Sequence, residues 1–387
     1  MQMIQPSSGN TLKILGKPKL SETGYRWMTY VLSQNVESGV LVFHVLTREM
    51  LLLTSEEYAK PDSLPQLREK WFRVPENMND RKYADQVRFV CKTLKKKSEY
   101  IKNYTIFPTT DCNARCFYCY ELGRSRISMS EEVAYKSALY IAKHCGDEKK
   151  VHLSWFGGEP LFNKKVIDII CRQLTEQGIE YHSNIISNGY LFDTKTVQQA
   201  VDRWNLKWVQ IAMDGTEEVY NHSKAFIYED VLSPYQVVIN NIGHLLDAGV
   251  QVVIRMNIDN HNAENLFALA DELHERFSGQ PKLTAYSHLL FDFAGNTERF
   301  RGVEERTHLF QQKQHLRDKL IDYGMWQVYT LKKSLSTSMC MADSGNSLTI
   351  LPNGELGLCE HYSEDNFVGH IDKEGLDESM VQSFREQ

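Results

Sequence analysis

Between residues 104 and 290 the chain alternates short apolar runs with longer stretches in which apolar residues recur every three or four positions. The runs 104–108, 151–156, 181–187, 208–213, 250–257 and 282–290 predict strands. The stretches 131–144, 164–177, 194–203, 235–248 and 263–276 predict helices, with Ser130 and Asp193 as helix starts. Repeated strand–helix units imply a parallel sheet with right-handed crossovers. Six units predict an α/β fold, a partial (β/α)6 TIM-like barrel over residues 101–310. Chemistry in such sheets collects at the C-terminal ends of the strands.

The flanks read differently. Residues 1–100 predict a small N-terminal α+β domain: strand-like runs at 40–47 and 50–53 precede Thr54-Ser55-Glu56-Glu57, which reads as a helix N-cap with early acidic residues. The lysine-bearing stretch 92–97 reads as a solvated helix end or linker. After a charged helix at 304–323, runs at 346–351 and 355–358 flank Pro352-Asn353-Gly354. Asn-Gly between apolar runs predicts a hairpin, so residues 311–387 are expected to form a hairpin-containing extension.

Composition narrows the classes. At 42% hydrophobic and 24% charged, the 387 residues have ample material for a core. No apolar run approaches the roughly 20 residues a membrane span needs, and MQMIQPSSGN has no basic or apolar segment of a secretory signal. A net charge of −6 argues against a nucleic-acid partner. The expectation is a cytoplasmic protein without nucleic-acid or membrane partners. Eight cysteines are too few for a disulfide scaffold in a chain this long. Cys91, Cys145 and Cys171 stand alone, and the last two, in helical stretches, read as inert buried thiols.

Three cysteines cluster. Cys112, Cys116 and Cys119 form C-x3-C-x2-C directly after the first strand of the series. Thiolates are soft ligands that suit zinc or iron–sulfur clusters. Structural zinc wants four closed ligands, and no fourth Cys or His follows at zinc-finger spacing. On a four-iron cluster, three ligands leave one iron open as a binding site.

This spacing, with the aromatic Tyr118 just before the third cysteine, resembles the signature of the radical S-adenosylmethionine (SAM) enzymes. The resemblance implies a [4Fe-4S] cluster whose open iron chelates SAM's amino and carboxylate groups. An electron from the cluster then breaks the sulfonium bond, leaving methionine and a 5′-deoxyadenosyl radical. Tyr118 would lie beside the adenine. Gly157-Gly158-Glu159-Pro160, closing the second strand, is similar to the family's GGEP motif, which holds SAM's ammonium; its glycines permit close backbone approach. Ser187-Asn188-Gly189 closes the third strand like the family's Ser-Asn-Gly turn, with Ser187 as a cofactor-binding candidate. Ala212-Met213-Asp214-Gly215 resembles the family's S-[LM]-D-G stretch but replaces a cofactor-contacting serine with Ala212; Asp214 is a candidate catalytic group. Lys224 stands where many members place an arginine for SAM's carboxylate, and supplies charge without the bidentate fork. Arg255, on the fifth strand, is a second candidate for that role, or else a rim ion pair.

Cys340, Gly354 and Cys359 form C-x13-G-x4-C, which resembles the opening half of the SPASM extension that carries auxiliary iron–sulfur clusters. The family's later cysteines do not follow before Gln387, and two cysteines cannot hold a cluster alone. Truncation is the favoured explanation, beside substitution by a residue such as His361 or loss of the site; auxiliary clusters are expected if the chain continues. Glu360 stands where sulfatase-maturing relatives carry a base. The resemblance implies a maturase that modifies a ribosomally made precursor peptide or protein by C–H abstraction, with a reductant such as flavodoxin or ferredoxin. The alternatives are an anaerobic sulfatase-maturing, formylglycine-generating enzyme and, in another class, a non-enzymatic iron–sulfur or zinc sensor. Residues 1–100 resemble the regions by which some such maturases capture a leader peptide through strand addition; a bracing domain is the alternative.

Overall fold

A computed structural model describes residues 1–6, 9–17, 24–94, 100–119, 121, 123–228, 232–290, 303–326, 340–361 and 367–386. The chain divides into two compact units, one containing Met1–Lys97, the other Ser98–Val328 with Cys340–Gln387. Residues 95–97 of the lysine stretch lie outside the described residues.

In the first unit, β1 (Gln2–Gln5), β3 (Val31–Val36), β4 (Gly39–His44) and β5 (Met50–Leu53) form an antiparallel sheet in the order β1-β5-β4-β3, while β2 (Tyr25–Trp27) pairs with β6 (Arg73–Pro75). The helices are α1 (Gly9–Leu15), α2 (Ser55–Ala59), α3 (Pro65–Glu69) and α4 (Asp80–Leu94). Thr54 caps α2 in a capping box with Glu57, as its sequence predicts. The strand expected to run to residue 47 stops at His44, whose Nδ1 accepts from the N–H groups of Leu46 and Thr47 at 3.2 and 3.3 Å. That ring satisfies the turn's donors locally and so ends the ladder. Val40 and Val42 alternate inward against Leu51, Leu53, Leu67 and Phe72.

In the second unit, β7 (Asn103–Thr109), β8 (Lys150–Gly157), β9 (Glu180–Ser187), β10 (Leu206–Ala212), β11 (Gln251–Ile258) and β12 (Leu283–Leu289) lie side by side in chain order, all parallel. The connecting helices are α5 (Glu131–His144), α6 (Lys164–Glu176), α7 (Thr194–Trp204), α8 (Glu217–Lys224), α9 (Pro234–Asp247) and α10 (Ala263–Phe277), and α11 (Val303–Asp322) follows β12. Ser130 and Asp193 cap α5 and α7. This is the α/β partial barrel the periodicity predicts. Val151, Leu153 and Trp155 of β8 join the apolar core, and the alternate Ser154 and Phe156 line the lumen. After α12 (Met341–Ser344), β13 (Ser347–Ile350) pairs parallel with β7 on its other side, and β14 (Glu355–Gly357) and β15 (Gly369–His370) extend the sheet antiparallel. The Asn-Gly turn lies between β13 and β14, with Gly354 at φ +89°. The last helix, α13, spans Glu378–Glu386. No described helix is long and apolar enough to cross a membrane.

Candidate active site

The cysteine loop leaves the C-terminal end of β7 and is fixed by backbone bonds on two sides. From the β8 turn, Gly158 N–H donates to Thr109 O at 3.1 Å and Glu159 N–H to Asp111 O at 2.9 Å. These contacts require glycine. A Cβ on Gly157, at φ +118°, would lie 2.4 Å from Thr109 O, and one on Gly158 would lie 2.3 Å from Asp111 O. From the end of α8, Lys224 O accepts from Arg115 N–H at 2.8 Å, and Ile227 N–H donates to Asn113 O at 3.0 Å.

Cys112, Cys116 and Cys119 are half-buried and free, and all three line one cavity of about 580 Å³. Ala114 N–H points at Cys112 Sγ from 3.3 Å. Burial, and secondarily Glu159, push the Cys112 thiol up to about 12; burial raises Cys116 and Cys119 as well. Among the described residues no three His, Cys, Asp or Glu side chains converge on a single-ion position. Three soft sulfurs without a fourth protein donor suit a four-iron cluster with one corner left for a small molecule. They do not complete the closed shell of structural zinc.

Gly157, Gly158 and Ser187 line the same cavity, but Glu159 is fully buried outside its lining. Its Oε1 accepts from Leu161 N–H at 3.1 Å and its Oε2 from Asn188 N–H at 2.8 Å, while Ser187 Oγ donates across both oxygens at 3.0 Å. Burial pushes this carboxyl up to about 7, against those hydrogen bonds. Glu159 therefore ties the turn after β8 to the turn after β9, and its carboxylate accepts from those turns rather than lining the cavity that would receive a ligand's ammonium. Asn188, in the same turn, donates from Nδ2 to Asn113 Oδ1 at 2.6 Å.

Asp214 and Lys224 form a buried ion pair of 3.0 Å, each side chain 3% exposed. Tyr118 OH donates to Asp214 Oδ2, and Asn257 Nδ2 donates to Oδ1 at 3.0 Å. Burial works against the Lys224 charge, but Asp214 and Cys116 outweigh it and raise its pKa. Burial, then Asp214, raises the Tyr118 phenol. The lysine's charge is thus matched inside the protein, and the pair anchors the cysteine loop at Tyr118 through Asp214 and at Arg115 through the Lys224 carbonyl.

Arg255 also lines the cavity, with Nε donating to Asn257 Oδ1 at 3.0 Å and a terminal nitrogen 3.4 Å from His288 Nδ1. No carboxylate pairs with it among the described residues, so it forms no rim ion pair there. Glu360 and His361, just beyond β14, reach the same cavity; Cys340 and Cys359 do not line it. Cys340 is exposed and Cys359 half-buried, its thiol raised by burial, Glu360 and Cys340. Asn257 and His288 are site residues that motif reasoning missed. Both share the inward parity of strand positions near Arg255, and that parity was the available signal.

Comparison with known proteins agrees with this geometry. Residues 106–273 match the Radical SAM superfamily, so this chain carries a radical SAM domain. Among solved structures, anSMEcpe with bound AdoMet is 15% identical, with a TM-score of 0.57 over 72% of this chain and 80% of that one. Streptococcus suis SuiB bound to S-adenosylmethionine is 13% identical, with a TM-score of 0.56 over 93% and 90%. The same protein bound to its precursor peptide SuiA is 12% identical, with a TM-score of 0.56 over 94% and 91%. At these identities the likeness is one of fold. No curated protein sequence matches significantly.

Proposed function

We propose that this protein is a radical SAM maturase that modifies a ribosomally made peptide. The observation that carries the reading is the single cavity shared by three cysteine thiols, the Gly157-Gly158 turn and Glu360. When bound there, a [4Fe-4S] cluster and SAM supply a carbon radical strong enough to remove hydrogen from an unactivated C–H bond. Cys112, Cys116 and Cys119 hold the cluster. Tyr118, Gly157, Gly158 and Ser187 shape the cofactor's seat, and Glu159 and the Asp214–Lys224 pair keep that seat rigid. Positioning and water exclusion are the protein's contribution. Glu360 is the carboxylate placed to accept a proton from substrate.

A peptide substrate is supported by the neighbours solved with peptides, SuiB with SuiA and anSMEcpe with the Cp18Cys peptide. In the first unit, β3 pairs only with β4 among the described residues, and five of its six positions are exposed. That edge can accept an added strand from a leader segment. The likeness to anSMEcpe, with Glu360 in the cavity, favours formylglycine-type oxidation as the second reading. A small reductant protein such as flavodoxin or ferredoxin would deliver the electron.

Anaerobic reconstitution tests the reading. The protein is expected to take up about four irons per cysteine triplet and to cleave SAM under strong reductant, and Cys116→Ala should lose both. Cleavage that survives in that variant refutes the site, and bound zinc without SAM turnover establishes the sensor instead.

A further inference from the structure

We propose that the outer face of the cysteine loop, centred on Phe117 and framed by Arg115, Arg126 and Ile127, is the docking surface for an acidic one-electron carrier protein. The inference rests on the cluster reading above and adds where the reductant binds and by what chemistry.

Alternation along the loop gives the first reason. Cys116, Tyr118 and Cys119 line the cavity, and Phe117 between them does not. Phe117 is 39% exposed, its ring edge-on to that of Tyr118 with centroids 5.1 Å apart. It therefore covers from outside the place that Cys116 and Cys119 face from inside. Ile127, 41% exposed, is held beside the start of the same loop. Its N–H donates to Thr110 Oγ1 at 2.8 Å, and its carbonyl accepts from Thr110 N–H at 2.9 Å. Aromatic and arginine side chains without lysine are the composition of protein interfaces.

Charge selects the partner. The chain as a whole carries −6, but from residue 111 to 128 Arg115, Arg124 and Arg126 stand against Asp111 and Glu121, and Glu121 is buried. Asp111 is shared, its Oδ1 lying 4.0 Å from Arg115 and 3.5 Å from Arg126, so that one carboxylate faces two guanidinium groups. A basic face on an acidic protein steers an acidic partner to that spot. Arg115, Phe117, Arg126 and Ile127 all stand outside the cavity lining, which leaves them clear of cofactor and substrate. Those molecules fill the lumen side, and electron transfer falls steeply with distance, so the outer face is the short approach left to a donor. The donor is oxidised by one electron and the cluster reduced by one, and no atom passes between the proteins.

The test uses the full reconstituted chain and, as probe, an acidic flavodoxin, with affinity read by calorimetry and cluster reduction by absorbance. Wild type should bind the flavodoxin with an affinity that falls as salt rises. Arg126→Glu and Ile127→Glu should each weaken binding about tenfold and slow reduction by flavodoxin, the worth of one charge-assisted contact. Iron content and reduction by dithionite should stay within about twofold of wild type in both. Lys207→Glu, exposed at the opposite end of the barrel strands, should change neither affinity nor rate. Equal flavodoxin affinity in wild type and both variants overturns the inference, as does an equal loss in Lys207→Glu, which reads overall charge. A matching loss with dithionite in Arg126→Glu overturns it too, because the arginine then serves the loop. Self-association of wild type that Arg126→Glu abolishes, with no flavodoxin bound, gives the face to a second copy instead. Flavodoxin binding that is lost in both variants of a chain that takes up no iron upholds the docking surface and removes the cluster reading.

Discussion

The buried carboxylate of Glu159 offers the sharpest test of how the site is built. Both of its oxygens accept a backbone N–H, from Leu161 and from Asn188. In Glu159→Gln, whichever way the amide turns, its NH2 faces one of those donors. One buried N–H is then stranded, at a cost of about 2 kcal/mol. For a unit of this size that lowers Tm by roughly 4–8 °C. The measurement is thermal unfolding without SAM, above neutral pH, where the wild-type carboxylate is ionised. A cofactor ligand would behave in the opposite way, with Tm unchanged and SAM affinity reduced. A variant that melts with wild type but binds SAM poorly refutes the tie between the two turns.

Gly158→Ala drives a Cβ to 2.3 Å from Asp111 O, so iron content after reconstitution should fall by more than about half as the β8 turn and the cysteine loop are forced apart; full iron uptake would contradict this. Asp214→Asn leaves Lys224 charged and unpaired in the interior and should cost about 3–5 kcal/mol, and adding Lys224→Met should recover much of that loss in the same denaturation assay. His44 is buried as the neutral ring, and burial lowers its pKa to about 4 from 6.5. The unfolded chain therefore takes up a proton first as pH falls, and stability of the first unit is lost between 6.5 and 4, by about 3 kcal/mol in all. Urea midpoints that stay flat across that window would refute the assignment.

The barrel was legible because its strands and helices have different periods and each element is long enough to show one. Helix α8 was not, since Glu-Glu-Val-Tyr-Asn-His-Ser-Lys looks like a polar loop; its buried face includes Tyr220, Ser223 and the charged Lys224. Asp214 and Lys224 can be seen as two charges ten residues apart, but no periodicity says that they are buried together. Glu159 shows the converse limit. The motif places an acid at the right turn, while the backbone path decides whether its side chain faces the cavity or the packed interior. Strands β1, β2 and β6 escaped notice because they are three or four residues long, and β1 carries a register irregularity.

The pairing of β13 with β7 has a bearing on biosynthesis. The strand that launches the cysteine loop receives its second neighbour from residues 347–350, far downstream of the loop in the order of synthesis. Until the ribosome has delivered them, the nascent barrel has an open flank alongside its metal loop, which can recruit stray strands. Cluster insertion into a finished wall has to wait until β13 has emerged, and a nascent chain cut short before β13 should fail at the first strand rather than the last.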